Sequence, residues 1–235
     1  MYTRVFFKRR VNSILTMSTG SHPETLLEGR NLFCERDERI LFEQLNFSIQ
    51  SGQLLQVKGS NGSGKTTLLR ILCGLNDSFE GELFFQGQLI EEQRDQYLAS
   101  LAYIGHRSGV SRILSPRENL RWSGSLHCPV DMSDIDAALA EVGLRGYEDV
   151  PCHNLSAGQQ QRVSLARLLI GRARLWILDE PFTTLDVTAV AQLEARLAAH
   201  VEAGGAVLVT THHDLKVSCR HDILDLDANR RRRSV

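Results

Sequence analysis

The chain contains 235 residues, of which 42% are hydrophobic and 23% are charged, and its formal net charge at pH 7 is −1. This length suits one well-buried α/β domain and is short for two, and the near-zero charge does not favour nucleic acid as the main partner. The five cysteines are scattered and form no CxxC pair, which argues against a disulfide framework or a zinc site and suits a reducing cytoplasm.

The two ends of the chain differ in composition from the rest. Residues 1–23 are basic and contain no acid, and their short apolar stretch cannot form a secretory signal. We interpret 1–23 as a flexible N-terminal extension; the alternatives are an organelle transit peptide and a true start at Met17. Residues 229–235 are interpreted as a basic tail, which suits contact with anionic lipid. The region between them, 24–228, is predicted to be a single domain without an apolar run of the roughly 18 residues that span a bilayer.

Predicted strands and helices alternate from residue 26 onward. Gln53–Lys58 has the alternating apolar positions of a strand, and after a glycine-rich turn the apolar residues at 68–72 predict a helix that stops near Gly74. Ser133 is placed to cap a later helix. The remaining predicted elements are a strand at 175–178, a helix at 193–201 and a strand at 206–209. This alternation predicts a mostly parallel sheet.

A glycine-rich stretch between the first of these strands and its helix matches the pattern G-x-x-x-x-G-K-[ST]. It consists of Gly59, Ser60, Asn61, Gly62, Ser63, Gly64, Lys65 and Thr66. Glycines let successive backbone N–H groups point at an anion, and the following helix adds its positive end. Lys65 is predicted to reach the β- and γ-phosphates and Thr66 to ligate Mg²⁺, with Thr67 also at the nucleotide. The alternative, a turn with an unrelated lysine, does not explain the flanking strand and helix.

Two acids end the apolar strand at 175–178. In open α/β sheets, ligands bind at the carboxyl ends of strands, so Asp179 is placed to hold Mg²⁺ directly or through water. Glu180 points elsewhere and can accept a proton from an attacking water as a general base. Two exposed acids at a strand end would be the simpler interpretation if the phosphate loop were absent.

A helix is predicted to start at Leu155-Ser156-Ala157-Gly158-Gln159. Ser156 suits the N-cap, and Gln159 three residues later completes a capping box. The same positive helix end also suits a second phosphate, although alone it is an ordinary helix start. These five residues resemble the LSGGQ signature of the ATP-binding-cassette (ABC) ATPases, with Ala157 in place of the first glycine.

This resemblance covers about 26–225 and implies an architecture. The fold would be α/β, a P-loop NTPase core with a mostly parallel sheet, an antiparallel β edge and an inserted helical subdomain at roughly 98–170. Two copies would form a head-to-tail homodimer with two ATP molecules sandwiched between them. Each ATP would contact the phosphate loop of one subunit and Ser156, Gly158 and Gln159 of the other.

Further positions match the family pattern. Residues 183–186 resemble the loop that crosses the dimer interface. His212 ends a predicted strand, where the family keeps a histidine near the γ-phosphate, and we predict it to be catalytic together with Glu180 and Lys65. The alternative is that His212 is an ordinary surface histidine. Metal binding by His212, His213 and Asp214 is a poor alternative, because the three are neighbours in sequence.

Two positions depart from the family pattern. Where the family stacks an aromatic residue on adenine, a gapless count gives Arg36, whose guanidinium plane is predicted to stack instead. Where the family has a glutamine that senses Mg²⁺ and contacts the membrane partner, the count gives His106. We predict that His106 substitutes at this metal site through a hydrogen bond.

Longer stretches narrow the resemblance to one branch of the family. Residues 32–42, 103–106, 155–162 and 175–182 resemble the ATP-binding subunits of bacterial cytochrome c maturation exporters. This implies a translocase subunit that binds integral membrane subunits on the cytoplasmic side of the cell inner membrane. Its ATP hydrolysis would be linked to haem export or to release of a haem-loaded chaperone.

Other functions stay open at this point. The alternatives are the ATPase of another small ABC exporter, a non-transport ATPase that gates complex assembly, and a soluble ATPase acting on nucleic acid, which the charge does not favour. We interpret His22, His127 and Cys128-Pro129 as scattered surface residues and not as haem ligands.

Overall fold

The computed structural model describes residues 24–125 and 130–231. The predictions for 1–23, for the surface residues His22, His127, Cys128 and Pro129, and for the end of the basic tail at 232–235 therefore lie outside the described residues. Among the described residues, no helix combines the length and apolar character that crossing a membrane requires.

Strands and helices follow each other along the chain as predicted. The strands are β1 (Thr25–Arg36), β2 (Arg39–Gln50), β3 (Gln53–Lys58), β4 (Glu80–Phe85), β5 (Gln88–Leu89), β6 (Leu101–Ile104), β7 (Leu175–Asp179), β8 (Ala206–Thr210) and β9 (His221–Asp225). The helices are α1 (Lys65–Leu72), α2 (Arg94–Ala99), α3 (Pro116–Ser125), α4 (Met132–Glu141), α5 (Ala157–Ile170), α6 (Val187–Glu202) and α7 (Leu226–Arg231). Short 3₁₀ turns lie at Ile90–Gln93 and Cys152–Asn154.

The central sheet is parallel and has the strand order β6-β7-β8-β3-β9. β8 pairs with β7 on one side and β3 on the other, so Ala206 lies opposite both Leu175 and Gln53. The carboxyl ends of β3, β7 and β8 therefore meet at one edge of the sheet. The phosphate loop, the acid pair and His212 follow these three strands, which brings them together. This topology confirms the predicted fold class.

Alternate residues of the parallel strands pack into different cores. Leu175 and Ile177 of β7 lie in one cluster with the antiparallel sheet and α1. Trp176 and Leu178 lie in a second cluster with α5 and α6. Because side chains alternate across a strand, a strand buried on both faces is apolar at every position. Burial on both faces is therefore the reason why residues 175–178 form an unbroken apolar run.

The antiparallel sheet has the order β2-β1-β4-β5. β1 and β2 form a hairpin in which Arg36 pairs with Arg39. The two residues between them, Asp37 and Glu38, have φ angles of 52° and 59°, as a tight two-residue hairpin turn requires.

A third core belongs to the helices between β6 and β7. Residues from α3, α4 and α5 share it, with Leu120, Ile135, Leu139, Val163 and Ala166 among the buried members. This cluster lies within the predicted helical subdomain, whose bounds at roughly 98–170 stay a prediction.

Two helix starts differ from the sequence predictions. α4 begins at Met132 after Asp131, so Ser133 is already inside the helix and its prediction as the cap is wrong. α6 begins at Val187 and not at 193, because the Asp186 carboxylate caps it by accepting the Ala189 N–H at 2.8 Å. Of the apolar residues in this first turn, Val187 is 87% exposed and Ala189 and Val190 are small, so the larger buried residues from Leu193 onward dominate the sequence pattern. The predicted end of α1 before Gly74, whose φ is 65°, is confirmed.

Candidate active site

The phosphate loop, Gly59–Thr66, connects β3 to α1 and depends on its glycines. Gly62 and Gly64 have φ angles of 76° and 100°, in the region where side chains are disfavoured. A Cβ on Gly59 would overlap the Ser63 hydroxyl, and one on Gly64 would lie 3.0 Å from Cβ of Leu41. The backbone of the loop is thus closely packed against its surroundings, with the N-terminus of α1 behind it.

Lys65 lies over the start of this loop. Its Nζ donates to the Gly59 carbonyl at 2.7 Å and to the Ser60 carbonyl at 3.2 Å. Thr66 is exposed and Thr67 is half-buried beside it. The ammonium group is therefore held by neutral carbonyl oxygens, partners that a phosphate anion can replace at greater electrostatic gain.

The acid pair at the end of β7 is organised by Thr210 of β8. The Thr210 hydroxyl donates to Oδ1 of Asp179 at 2.7 Å and accepts the Glu180 N–H at 3.0 Å. Asp179 is 2% exposed, and its Oδ2 is buried without a hydrogen-bond partner among the described residues. An ionised carboxylate left in this way needs a cation or donor.

Glu180 has a strained backbone at φ 51°, a conformation that is uncommon outside glycine and often occurs at functional sites. Its side chain turns toward the end of β8, where Oε2 accepts the His212 N–H at 3.3 Å. The His212 Nε2 lies 3.6 Å from Oε1, too far for a hydrogen bond. Oε1 is therefore buried and available to a water or substrate group.

The loop that carries His212 is anchored to α6 through its neighbour His213. The His213 Nε2 lies 3.1 Å from Oε1 of Glu194, and the same oxygen accepts the Lys216 N–H at 2.7 Å. The His213 ring also packs against Phe182 at 5.1 Å between centroids. Glu194 is buried, so this acid fixes the loop on both sides of Asp214 and leaves His212 exposed to the site.

The phosphate loop, the acid pair and His212 line one open cavity of about 840 Å³. Its lining includes the loop residues Asn61, Gly62, Gly64, Lys65, Thr66 and Thr67, the hairpin residues Arg36, Asp37, Arg39 and Leu41, and His106, Asp179, Glu180, Thr183 and His212. The structure thus brings most of the predicted site residues together. Ser63 is buried next to the cavity, and its hydroxyl oxygen has no hydrogen-bond partner within 24–125 and 130–231.

The predicted Mg²⁺ fits the oxygen atoms of this cavity. The orphaned Oδ2 of Asp179 and the Thr66 hydroxyl are hard oxygen donors, which Mg²⁺ prefers. His106 lines the same cavity as an exposed side chain, but an imidazole nitrogen is a poorer partner for Mg²⁺. His106 therefore suits contact with Mg²⁺ through a bridging water better than direct coordination.

Arg36 lies at the rim of the cavity. Its side chain is 74% exposed and pairs with Asp37 at 3.4 Å. Arg39, opposite it in the hairpin, brings its guanidinium group to 3.6 Å from the position a Cβ would take on Gly62. The sequence prediction for Arg36 stays a prediction, and Arg39 is a second guanidinium group that the gapless count missed.

The signature residues lie outside this cavity. The capping box at the start of α5 is confirmed: the Ser156 hydroxyl accepts the Gln159 N–H at 3.2 Å, and the Gln159 side chain accepts the Ser156 N–H at 2.9 Å. A Cβ on Gly158 would lie 2.7 Å from the Thr184 carbonyl oxygen. A glycine at this position is therefore required for close packing on the loop at 183–186.

The Asp179 carboxylate also affects two neighbouring side chains, Cys73 and Tyr103. Burial and, to a smaller extent, Asp179 raise the pKa of the Cys73 thiol. Burial also raises the pKa of Tyr103 to about 12, with Cys73 and Asp179 contributing. Both side chains are therefore neutral at physiological pH, and neither adds a second negative charge beside Asp179.

Besides Arg39, three residues that support the site were missed by sequence reasoning. Thr210, Glu194 and Asp227, which contacts Ser60, carry no motif of their own. Thr210 is recognisable as the last residue of a strand that precedes a predicted catalytic histidine. Glu194 gives a weaker signal, as an acid on the apolar side of a predicted helix, and Asp227 gives none.

Comparisons with known proteins agree with this geometry. Residues 42–183 match the family model described as ABC transporter. The chain is 55% identical over 190 residues, covering 81% of this chain and 90% of the relative, to the cytochrome c biogenesis ATP-binding export protein CcmA of Pseudomonas putida. It is 52% identical over 200 residues to the protein of that name from Hahella chejuensis, covering 85% and 94%. Among solved structures, an ABC transporter ATP-binding protein from Pyrococcus furiosus superposes with a TM-score of 0.75 at 25% identity, covering 86% and 98%.

Proposed function

Because this chain belongs to the ABC transporter family, we propose that it is the ATP-binding and ATP-hydrolysing subunit of a cytochrome c biogenesis export complex. The identity of 52–55% to relatives with that name, over most of both chains, supports the biological assignment. The observation that carries the chemistry is the pair of buried oxygens on Asp179 and Glu180 that have no hydrogen-bond partner in the part of the chain that the structure describes. They line the same cavity as the phosphate loop.

Each side chain then has one task. Lys65 leaves the carbonyls of Gly59 and Ser60 and binds the β- and γ-phosphates. Thr66 and Asp179 would hold Mg²⁺, which would neutralise phosphate charge when bound. Glu180, held by its strained backbone, accepts a proton from the attacking water at Oε1.

His212 and the loop backbone stabilise the charge that develops during transfer. The exposed imidazole of His212 lies 3.6 Å from the Glu180 carboxylate without a direct hydrogen bond, so it can orient a water or contact the γ-phosphate. The N–H groups of the phosphate loop supply fixed dipoles that need no reorganisation during the reaction. Arg36 would stack on the base, and His106 would substitute at the metal site through a hydrogen bond.

A second copy of the chain completes the site. Ser156, Gly158 and Gln159 do not line the cavity of their own chain, so they are available to an ATP bound to the partner copy in a head-to-tail homodimer. The positive end of α5 suits this contact with a phosphate. The single domain at 24–228, with its helical subdomain at roughly 98–170, would then open and close with the nucleotide.

The proposed location is the cytoplasmic side of the cell inner membrane, as a peripheral subunit bound to integral membrane proteins. Its ATP cycle would drive haem export or release a haem-loaded chaperone. If ATP drives haem export, Glu180→Gln should stop haem transfer. If ATP releases the chaperone, haem transfer should continue in this variant while disassembly of the complex stalls. Normal holocytochrome c in cells lacking the gene would refute the whole assignment.

The catalytic roles are tested with two variants of the purified chain. Glu180→Gln should retain ATP affinity within about threefold and lose hydrolysis by about 10²-fold or more, because the general base is removed. Lys65→Ala should abolish ATP binding. Phosphate release and equilibrium nucleotide binding measure the two effects, with the exposed Glu91→Gln as a control. Hydrolysis by Glu180→Gln at the wild-type rate would remove Glu180 from the mechanism.

A further inference from the structure

The second residue of the phosphate loop is bound to the C-terminal helix α7. The Ser60 N–H donates to Oδ2 of Asp227 at 2.6 Å, and the Ser60 hydroxyl donates to Oδ1 at 2.9 Å. The two residues are 167 positions apart in the chain. A carboxylate that accepts both groups holds the backbone and the side chain of Ser60 in one orientation.

The fold itself brings Asp227 to the loop. β3 and β9 are neighbours in the parallel sheet, with Lys58 opposite Asp225, so the phosphate loop and α7 leave adjacent strands at the same edge. Leu226 is fully buried, and its Cβ lies 3.4 Å from the position a Cβ would take on Gly59. The start of α7 therefore packs directly against the start of the loop.

Ser60 transmits this restraint to Lys65. Its carbonyl accepts the Ser63 N–H at 3.1 Å and the Lys65 Nζ at 3.2 Å. All polar groups of Ser60 are thus in use, with Asp227 on one side and the catalytic lysine on the other. The residue that Asp227 holds in place also defines where Lys65 lies.

A loop with three glycines has much conformational freedom to lose when it closes around a ligand. Fixing the bound conformation beforehand reduces that loss and strengthens binding. The Ser60 N–H points at Asp227, so this contact does not itself use any loop N–H group from Asn61 onward. The carboxylate therefore restrains the loop without occupying it.

We infer that Asp227 is a positioning residue for ATP binding, which pre-organises the phosphate loop through Ser60 and determines where Lys65 lies before the nucleotide arrives. This inference rests on the proposed function, because it presupposes that ATP binds in the loop. It gives the C-terminal segment a direct link to nucleotide affinity.

Asp227→Ala should weaken ATP affinity about tenfold, as expected for loss of a hydrogen bond to a charged group. KM for ATP should rise accordingly while kcat at saturating ATP stays within about twofold, because the lost interaction acts on binding. Asp227→Asn should stay within about threefold of wild type, since its amide can accept the Ser60 N–H and donate to the Ser60 hydroxyl oxygen. Equilibrium titration with ATP and steady-state hydrolysis measure these values.

Asp225→Ala is the matched control. This substitution removes the same charge from the same segment. In the wild-type chain, Oδ1 of Asp225 accepts the N–H groups of Asp227 and Ala228 at 2.9 and 3.3 Å. Asp225→Ala therefore loosens α7 but keeps the Asp227 carboxylate that contacts Ser60. We expect a melting temperature as low as that of Asp227→Ala but ATP affinity within about threefold of wild type. A role of Asp227 that is only structural would make the two variants equal in both measurements.

A double-mutant cycle with Ser60→Ala makes the test independent of the folding of one variant. Ser60→Ala should weaken ATP binding about threefold, and adding Asp227→Ala should then weaken it by clearly less than the tenfold expected in the wild-type chain, because both act on one interaction. Wild-type or tighter ATP affinity in Asp227→Ala, equal losses in Asp225→Ala, or additive effects in the cycle would overturn the inference. Failure of the proposed function would instead appear as absent ATP binding by the wild-type chain in the same titrations.

Discussion

A single hydroxyl on Thr210 orients two carboxylates that have different proposed tasks. It donates to Asp179 and accepts from the backbone of Glu180, so one side chain sets both the metal-holding oxygen and the strained peptide that aims the general base. Because Thr210 is fully buried, water cannot replace these bonds if the hydroxyl is removed.

Thr210→Val keeps the shape of the side chain and removes its hydroxyl. We expect hydrolysis to fall about 10- to 100-fold, because Asp179 and Glu180 lose their common partner, and the free energy of unfolding to fall by about 1–3 kcal/mol. Thr210→Ser retains the hydroxyl and should keep most of the activity. Hydrolysis rates and chemical denaturation of both variants measure this, and equal activity of Thr210→Val and wild type would contradict it.

The predictions for Gly158 and Arg36 show what a motif and a residue count can each establish. Gly158 was assigned by its place in a signature, and the structure adds the reason that a side chain would meet the Thr184 carbonyl. Arg36 was assigned by counting along the chain, yet a hairpin places Arg39 across from it. A count cannot detect cross-strand neighbours, because register depends on the turn.

At the scale of elements, α6 packs on β7 through a ring stack. The His200 ring lies parallel to the Trp176 indole at 3.8 Å between centroids, and its Nε2 lies 3.2 Å from the Arg174 carbonyl. A Cβ on Gly205 would overlap the His200 ring. Burial lowers the pKa of His200 below its ordinary value of 6.5, and its backbone contacts only partly oppose this shift.

This stack predicts a pH dependence of stability. Between pH 6.5 and the lower folded-state pKa, the unfolded chain takes up a proton at His200 that the folded chain does not. The contribution of the neutral ring is therefore present above pH 6.5 and lost as pH falls through the folded-state pKa. His200→Phe keeps a stacking ring that cannot titrate.

The comparison of wild type with His200→Phe should show this loss directly. Denaturation at pH 7.5 and pH 5 should give a larger decrease in the free energy of unfolding for wild type. His221, whose pKa is also lowered by burial, is present in both proteins and cancels. Parallel pH profiles for the two proteins would show that His200 does not cause the effect.

At the scale of the whole molecule, the proposed active site is divided between two copies. The phosphate loop and acids line one cavity, whereas Ser156 and Gly158 lie elsewhere in the same chain. A symmetric head-to-tail dimer would contain two such composite sites.

Mixing two inactive variants tests this division. Lys65→Ala disables the phosphate loop and Ser156→Arg disables the signature, so each homodimer should be inactive. In a mixed dimer, one site combines the intact loop of one copy with the intact signature of the other. An equimolar mixture should regain about a quarter of wild-type hydrolysis if dimers form statistically. No gain in the mixture would argue that each chain hydrolyses ATP alone.

The sequence by itself determined the alternation of strands and helices, the phosphate loop, the acid pair and the capping box at Ser156. These features depend on residues close together in the chain, where local hydrogen bonds and side-chain periodicity leave a readable pattern. Only the tertiary structure decided which distant residues support them: Thr210 between the acids, Glu194 behind the histidine loop, and Asp227 on Ser60. These three contacts arise because parallel strands bring their carboxyl ends to one edge of the sheet, and strand order is not written in any local pattern.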